Sequence, residues 1–257
     1  MKKTFLLLTL LFSSLVIMVS CSDDDNSNAE SYAYSVRLTD APGPYDAVYI
    51  DVQGVEVIGN NGVAVNLATQ TGIYDLLELS SGVETTLSND VITASKVNQV
   101  RLILGTENSV VVDGVSYPLD TPSAQQSGLK LQVNQTLDAN TQNSILIDFD
   151  ANKSIVVNGN GTYTLKPVLR TIDLSTTGTI EGSISIPGTL ASVQVVSSTG
   201  NEVYTNVKAD GTFKVLGLAP GTYTVTITPV LPFLPAIKSN VTVETGATTN
   251  IGEIIIQ

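Results

Sequence analysis

The 257 residues predict an all-β fold, two β-sandwich domains behind an apolar N-terminal leader and a short acidic tether. Three observations predict it. From Ser31 onward the chain is rich in Val, Ile, Thr, Tyr and Ser, residue types that suit a pleated, half-buried surface. They fall in short alternating runs divided by Gly, Asn, Asp and Pro clusters, the pattern of strands and turns. No helical periodicity of twelve or more residues occurs after the leader.

The leader, residues 1–20, carries Lys2 and Lys3, runs apolar from Phe5 to Val19 and ends in Ser20, just before Cys21. As a membrane span, Phe5 to Ser20 reaches about 24 Å at the helical rise, short of the roughly 30 Å hydrocarbon core. A positive start, an apolar stretch and a small residue before a cysteine resemble a bacterial lipoprotein signal peptide with its lipobox. The resemblance implies cleavage ahead of Cys21 and lipidation of Cys21. Ser22, Asp23, Asp24 and Asp25 then resemble the acidic export signal that sends lipoproteins of the Bacteroidetes to the outer face of the outer membrane. Without that resemblance they are the start of a solvated linker. Residues 21–31 hold no large apolar side chain, so they bury too little surface to repay ordering and read as a tether.

In the first domain, residues 32–173, strands are predicted over Tyr32–Leu38, Ala47–Ile58, Val63–Leu67, Val100–Leu104, Ser109–Val112, Gly128–Val133, Ser144–Phe149 and Tyr163–Ile172. Asp113-Gly114 supplies the two positive φ angles of a type I′ turn, so Val110 to Tyr117 reads as a hairpin. Ile73 to Leu79 is too short to fix a period and suits a strand, a loop or one helical turn.

The second domain, residues 178–257, packs seven short strands into about eighty residues, which indicates a small sandwich. They are Thr179–Ile186, Ser192–Ser197, Glu202–Val207, Gly211–Leu216, Gly221–Pro229, Ala236–Val243 and Thr248–Ile256. Alternation puts Phe213 with Val215, and Tyr223 with Val225 and Ile227, on core-facing sides. Pro220-Gly221 suits the two central positions of a type II turn.

Composition narrows function. With Lys2 and Lys3 removed, 10 basic residues face 24 acidic ones over 237 residues, a net charge of −14. Such a surface repels phosphate backbones and anionic headgroups, so no nucleic-acid partner is expected and membrane attachment must come from acyl chains. There is no histidine, which removes the commonest general base and metal ligand. Cys21 is the one cysteine, so its lipidation also excludes thiol nucleophiles, disulfides and thiolate metal sites. No cofactor is expected. Trp is absent, leaving nine Tyr as aromatic platforms.

Asp210-Gly211-x-Phe213 through Leu218-x-Pro220-Gly221-x-Tyr223 resembles the carboxypeptidase regulatory-like domain, a transthyretin-like sandwich. The resemblance covers residues 178–257 and implies a fold; relatives serve as spacers or accessory modules, some within a carbohydrate-binding-like fold group. Residues 32–173 resemble the DUF4382 family of bacterial surface lipoproteins. The resemblance is carried by Val36-Arg37-Leu38-Thr39-Asp40-Ala41-Pro42-Gly43, Tyr45-Asp46-Ala47-Val48, Arg101-Leu102-Ile103-Leu104-Gly105, Gly128-Leu129-Lys130-Leu131, Asp148-Phe149-Asp150-Ala151 and Tyr163-Thr164-Leu165-Lys166-Pro167-Val168-Leu169-Arg170. It implies a location and no reaction.

Three groups are candidate sites. Asp148 and Asp150 leave one face of a strand, and with Asn152, Asp40 or Asp46 they offer oxygen ligands to a hard cation. The alternative is a strand-end pair, solvated or matched by Arg37, Arg101 or Arg170. A carboxylate pair also suits glycoside hydrolysis, but nothing singles one out among 24 acids. Tyr32, Tyr34, Tyr45, Tyr49 and Tyr74 either line a contact surface or fill the sandwich. The sequence therefore predicts a surface-exposed, lipid-anchored outer-membrane protein that binds or adheres without catalysis, with a glycan or cell-envelope protein as ligand. A structural spacer in an envelope assembly is the alternative, and a carboxylate hydrolase a distant one.

Overall fold

The computed structural model describes residues 30–41, 43–121 and 127–257, so Cys21 and Ser22 to Asp25 lie outside the described residues. The fold is all β. The first thirteen strands are β1 (Tyr32–Ala41), β2 (Ala47–Gly59), β3 (Ala64–Leu67), β4 (Gly72–Asp75), β5 (Thr85–Ile92), β6 (Lys96–Leu104), β7 (Ser109–Val112), β8 (Val115–Asp120), β9 (Leu129–Thr136), β10 (Asn143–Asp150), β11 (Ile155–Val157), β12 (Tyr163–Leu165) and β13 (Leu169–Ile172). They form a four-stranded sheet, β13-β10-β1-β5, and a larger sheet ordered β11-β12-β8-β7-β2-β6-β9, with β3 and β4 also on β2. Both sheets contribute to one core. Tyr32, Tyr34, Val36 and Leu38 enter it from alternate positions of β1, and Ile145, Ile147 and Phe149 from the parallel neighbour β10.

The other seven strands are β14 (Gly178–Ile184), β15 (Ala191–Ser197), β16 (Glu202–Asn206), β17 (Thr212–Leu218), β18 (Gly221–Pro229), β19 (Ala236–Val243) and β20 (Thr248–Ile254). Their sheets, β17-β14-β20 and β16-β15-β18-β19, enclose a second core. Phe213, Val215, Tyr223, Val225 and Ile227 all lie in it, as alternation predicts. Phe213 packs over Gly182, its partner across the β14–β17 pair, where an added Cβ would meet the ring at 2.8 Å.

Several local expectations change. Asp113 and Gly114 take φ of 49° and 74°, the predicted type I′ turn. Tyr163 to Ile172 is two strands in different sheets, because Pro167 has no N–H to give a ladder. The flanking Lys166 and Val168 amides donate instead to the carbonyl and hydroxyl of Ser154. Ile73 to Leu79 combines two options, β4 followed by a 3-10 turn over Leu76–Leu79 that Asp75 caps at the Leu77 amide. β5 was not expected; a register shift in its pairing with β1 puts Leu87 and Ser88 inside consecutively and breaks the alternation. Gly221 takes φ of 158°, far from the +80° of a type II turn, because the chain there crosses from one sheet to the other. The bend is held by the Tyr223 hydroxyl, which donates to the Ala219 carbonyl at 2.7 Å.

Candidate functional site

The outer face of the four-stranded sheet meets the second set of strands along a seam. Leu146 and Ile172 are buried yet belong to neither core. Gly217 comes so close to Ile172 that an added Cβ would lie 2.5 Å from its Cδ1. The Ser81 hydroxyl donates to the Asn206 carbonyl at 2.5 Å across the same junction.

Polar residues gather at one end of this seam. A cleft of about 180 Å³ is lined by Asp148, Asp150, Lys153 and Arg170 from one side and by Glu202 and Tyr204 from the other. The β10–β13 register sets Arg170 opposite Asp148, and its Nε lies 2.5 Å from Asp148 Oδ2. Asp148 is 5% exposed, and burial outweighs the arginine to hold its carboxyl above the usual range. Asp150 caps the helical turn Ala151–Ser154, accepting from the Lys153 amide at 2.9 Å and from its ammonium at 2.6 Å. Glu202 accepts from the Tyr204 hydroxyl at 2.5 Å.

Asp40 lies just behind. Its Oδ1 accepts from the Ala151 amide at 3.0 Å, while its Oδ2 is buried without a hydrogen-bond partner. Burial, with Asp148 and Asp150 nearby, pushes its carboxyl up to about 9, so it keeps its proton at neutral pH. Thr39 beside it shares its single hydroxyl proton between the carbonyls of Leu79 at 2.9 Å and Val83 at 2.7 Å.

The structure thus brings Asp40, Asp148 and Asp150 together and leaves Asp46 and Asn152 apart from them. Asp46 accepts from the Gly114 amide at 2.8 Å, bracing the hairpin, and Asn152 belongs to the helical turn. Of the three arginines considered as partners only Arg170 reaches this pair; Arg37 bonds Glu84 and Arg101 bonds Glu56. Among the described residues no three acids are arranged to hold a metal ion. Tyr32 and Tyr34 are buried, and Tyr45 and Tyr74 pack against the first core from its periphery, which is the sandwich-filling alternative.

A second polar knot went unseen in the sequence. Asp51 on β2 is buried; its Oδ1 accepts from the Gln53 amide at 2.5 Å and its Oδ2 from the Glu107 backbone at 3.3 Å. Its own N–H donates to Asn108 Oδ1 at 2.9 Å, and Asn108 donates back to the Gly105 carbonyl at 2.8 Å. The signal was the glycine: an added Cβ at Gly105 would sit 1.9 Å from Asp51 Oδ2.

The residues that carry the family pattern therefore either fill the first core, as Val36, Leu38, Leu102 and Phe149 do, or tie distant segments together, as Asp40, Asp46, Arg101 and Asp148 do. The family model described as "Domain of unknown function (DUF4382)" matches residues 33–167, and the chain belongs to this family. No curated protein matches the sequence. Among solved structures, the Bacillus anthracis TIE protein is similar at 14% identity and a TM-score of 0.23, covering 88% of this chain and 34% of that one. GBS52, the minor pilin of Streptococcus agalactiae, is similar at 10% identity and a TM-score of 0.26, covering 87% of this chain and 95% of that one. The fimbrial anchor protein Mfa2 of Porphyromonas gingivalis is similar at 9% identity and a TM-score of 0.20, covering 87% and 90%.

Proposed function

We propose that the protein is a noncatalytic binding or adhesion module, held to the outer membrane by acyl chains on Cys21 and carried to the cell exterior by Ser22, Asp23, Asp24 and Asp25. Residues 32–173 and 178–257 are its two domains, the second of the carboxypeptidase regulatory-like kind. The observation that carries this reading is the use made of the seam's acids. Asp148 is bound to Arg170 and Asp40 to the Ala151 backbone, which fix one segment to another, while Asp150 caps its own helical turn and pairs with Lys153 within it.

A glycan is the preferred ligand class, and the outer face of the β17-β14-β20 sheet supports it. A polar trough of about 520 Å³ runs there, lined by Glu181, Ser183, Lys208, Lys214, Asn250 and Glu253. Carboxylate, amide, ammonium and hydroxyl groups at that density suit the alternating donors and acceptors of a polyol. The spacer reading rests on a different observation, the close approach of Gly217 to Ile172, which favours two units that move as one.

Cell fractionation tests the anchor. The Cys21→Ala chain is expected in the soluble fraction, because one or more acyl chains supply the membrane affinity that the acidic body lacks. Retention of that variant in membranes would overturn the anchor. On a glycan array the purified protein is expected to bind; failure there, with stoichiometric co-purification of an envelope protein, would favour the spacer.

A further inference from the structure

The connection from β18 to β19 holds a group of apolar side chains out in water. Leu231 is 89% exposed and Leu234 65%, with Leu190 at 71% and Ile237 at 67% beside them. The loop is braced: the Val230 amide donates to the Leu190 carbonyl at 2.9 Å and the Leu234 amide to a main-chain oxygen of Gln257 at 2.7 Å. Phe233 turns inward against the second core, which fixes the two leucines outward. Next to them lies a groove of about 480 Å³ whose walls include Leu190, Val207, Pro229 and Val230.

We propose that this face docks a second copy of the chain across a two-fold axis, Leu231 and Leu234 of each copy seating in the groove of the other. Two observations favour that occupant. A knob and a groove side by side on one face are self-complementary about a two-fold, each supplying what the other lacks. The two segments that supply most of the face hold no charged side chain, since no Asp, Glu, Lys or Arg occurs from Val215 to Ile237 or from Ile186 to Asn201. Elsewhere two copies of residues 21–257, each at a net charge of −14, repel, so this is where they approach at least cost. The docking does not depend on lipidation.

Sedimentation equilibrium decides it, on residues 21–257 carrying Cys21→Ser, the whole chain without its apolar leader. The expected mass at micromolar concentration is twice that of the chain. Leu231→Glu, at a fully solvated position, is expected to weaken association by at least about 100-fold, because each dimer loses two buried leucines. Its circular dichroism and melting temperature are expected to stay unchanged. A chain that stays monomeric to 100 μM, a dimer that the glutamate leaves intact, or an open-ended polymer would each overturn the proposal. So would a monomer that floats with phosphatidylcholine vesicles, which would assign the face to lipid.

Discussion

Gly105→Ala is expected to cost about 3–5 kcal/mol, a large part of the 5–15 kcal/mol that holds an ordinary domain together. The backbone is not the reason, since Gly105 is absent from the positive-φ glycines and alanine suits its conformation. The methyl group would arrive 1.9 Å from Asp51 Oδ2 and 2.9 Å from Gln53 Cγ. Asp51 cannot step aside cheaply. Moving it breaks its bonds from Gln53 and Glu107 and strains the Asn108 bridge, leaving a buried carboxylate short of donors. Gly114→Ala is the matched control. It meets nothing within 4 Å but sits at φ of 74°, so it pays only the left-handed backbone cost of about 1 kcal/mol. Urea denaturation of the two variants separates contact from conformation. Equal midpoints would mean that Gly105 does not press on Asp51.

What the sequence disclosed and what it hid follow one physical division. Signals confined to a few neighbouring residues were legible: Asp113-Gly114 specified its turn, and alternation placed Phe213, Val215, Tyr223, Val225 and Ile227 in the core. Signals that depend on a partner far along the chain were not. That Asp148 and Asp150 share a face followed from the pleat, but choosing Arg170 over Arg37 and Arg101 needed the β10–β13 register. Tyr163 to Ile172 reads as one strand until Pro167 is seen to divide two sheets. Gly217 has the look of a turn glycine, and its contact with Ile172 across the seam leaves no local mark. Asp40 shows the limit most clearly. Nothing in Thr39-Asp40-Ala41 distinguishes a solvated acid from one enclosed beneath the Ala151 amide.

That enclosure sets the second large effect, on the pH dependence of stability. The Asp40 carboxyl stands at about 9 when folded and near the ordinary 3.8 when unfolded. Below pH 4 it is protonated in both states and costs nothing. As pH rises from 4 to 9 the unfolded chain releases the proton while the folded chain keeps it, so stability falls by up to about 1.4 kcal/mol per pH unit. Above 9 both states are ionised and the slope ends. Asp148, also held upward by burial, adds to the fall in the same direction. Asp40→Asn keeps an oxygen for the Ala151 amide and removes the ionisation. The variant is expected to match the parent near pH 4 and to exceed it by several kcal/mol at pH 8, with a correspondingly higher melting temperature. Parallel curves of stability against pH for the two proteins would show that Asp40 ionises in the folded state as freely as in water, and that its position beneath Ala151 is wrong.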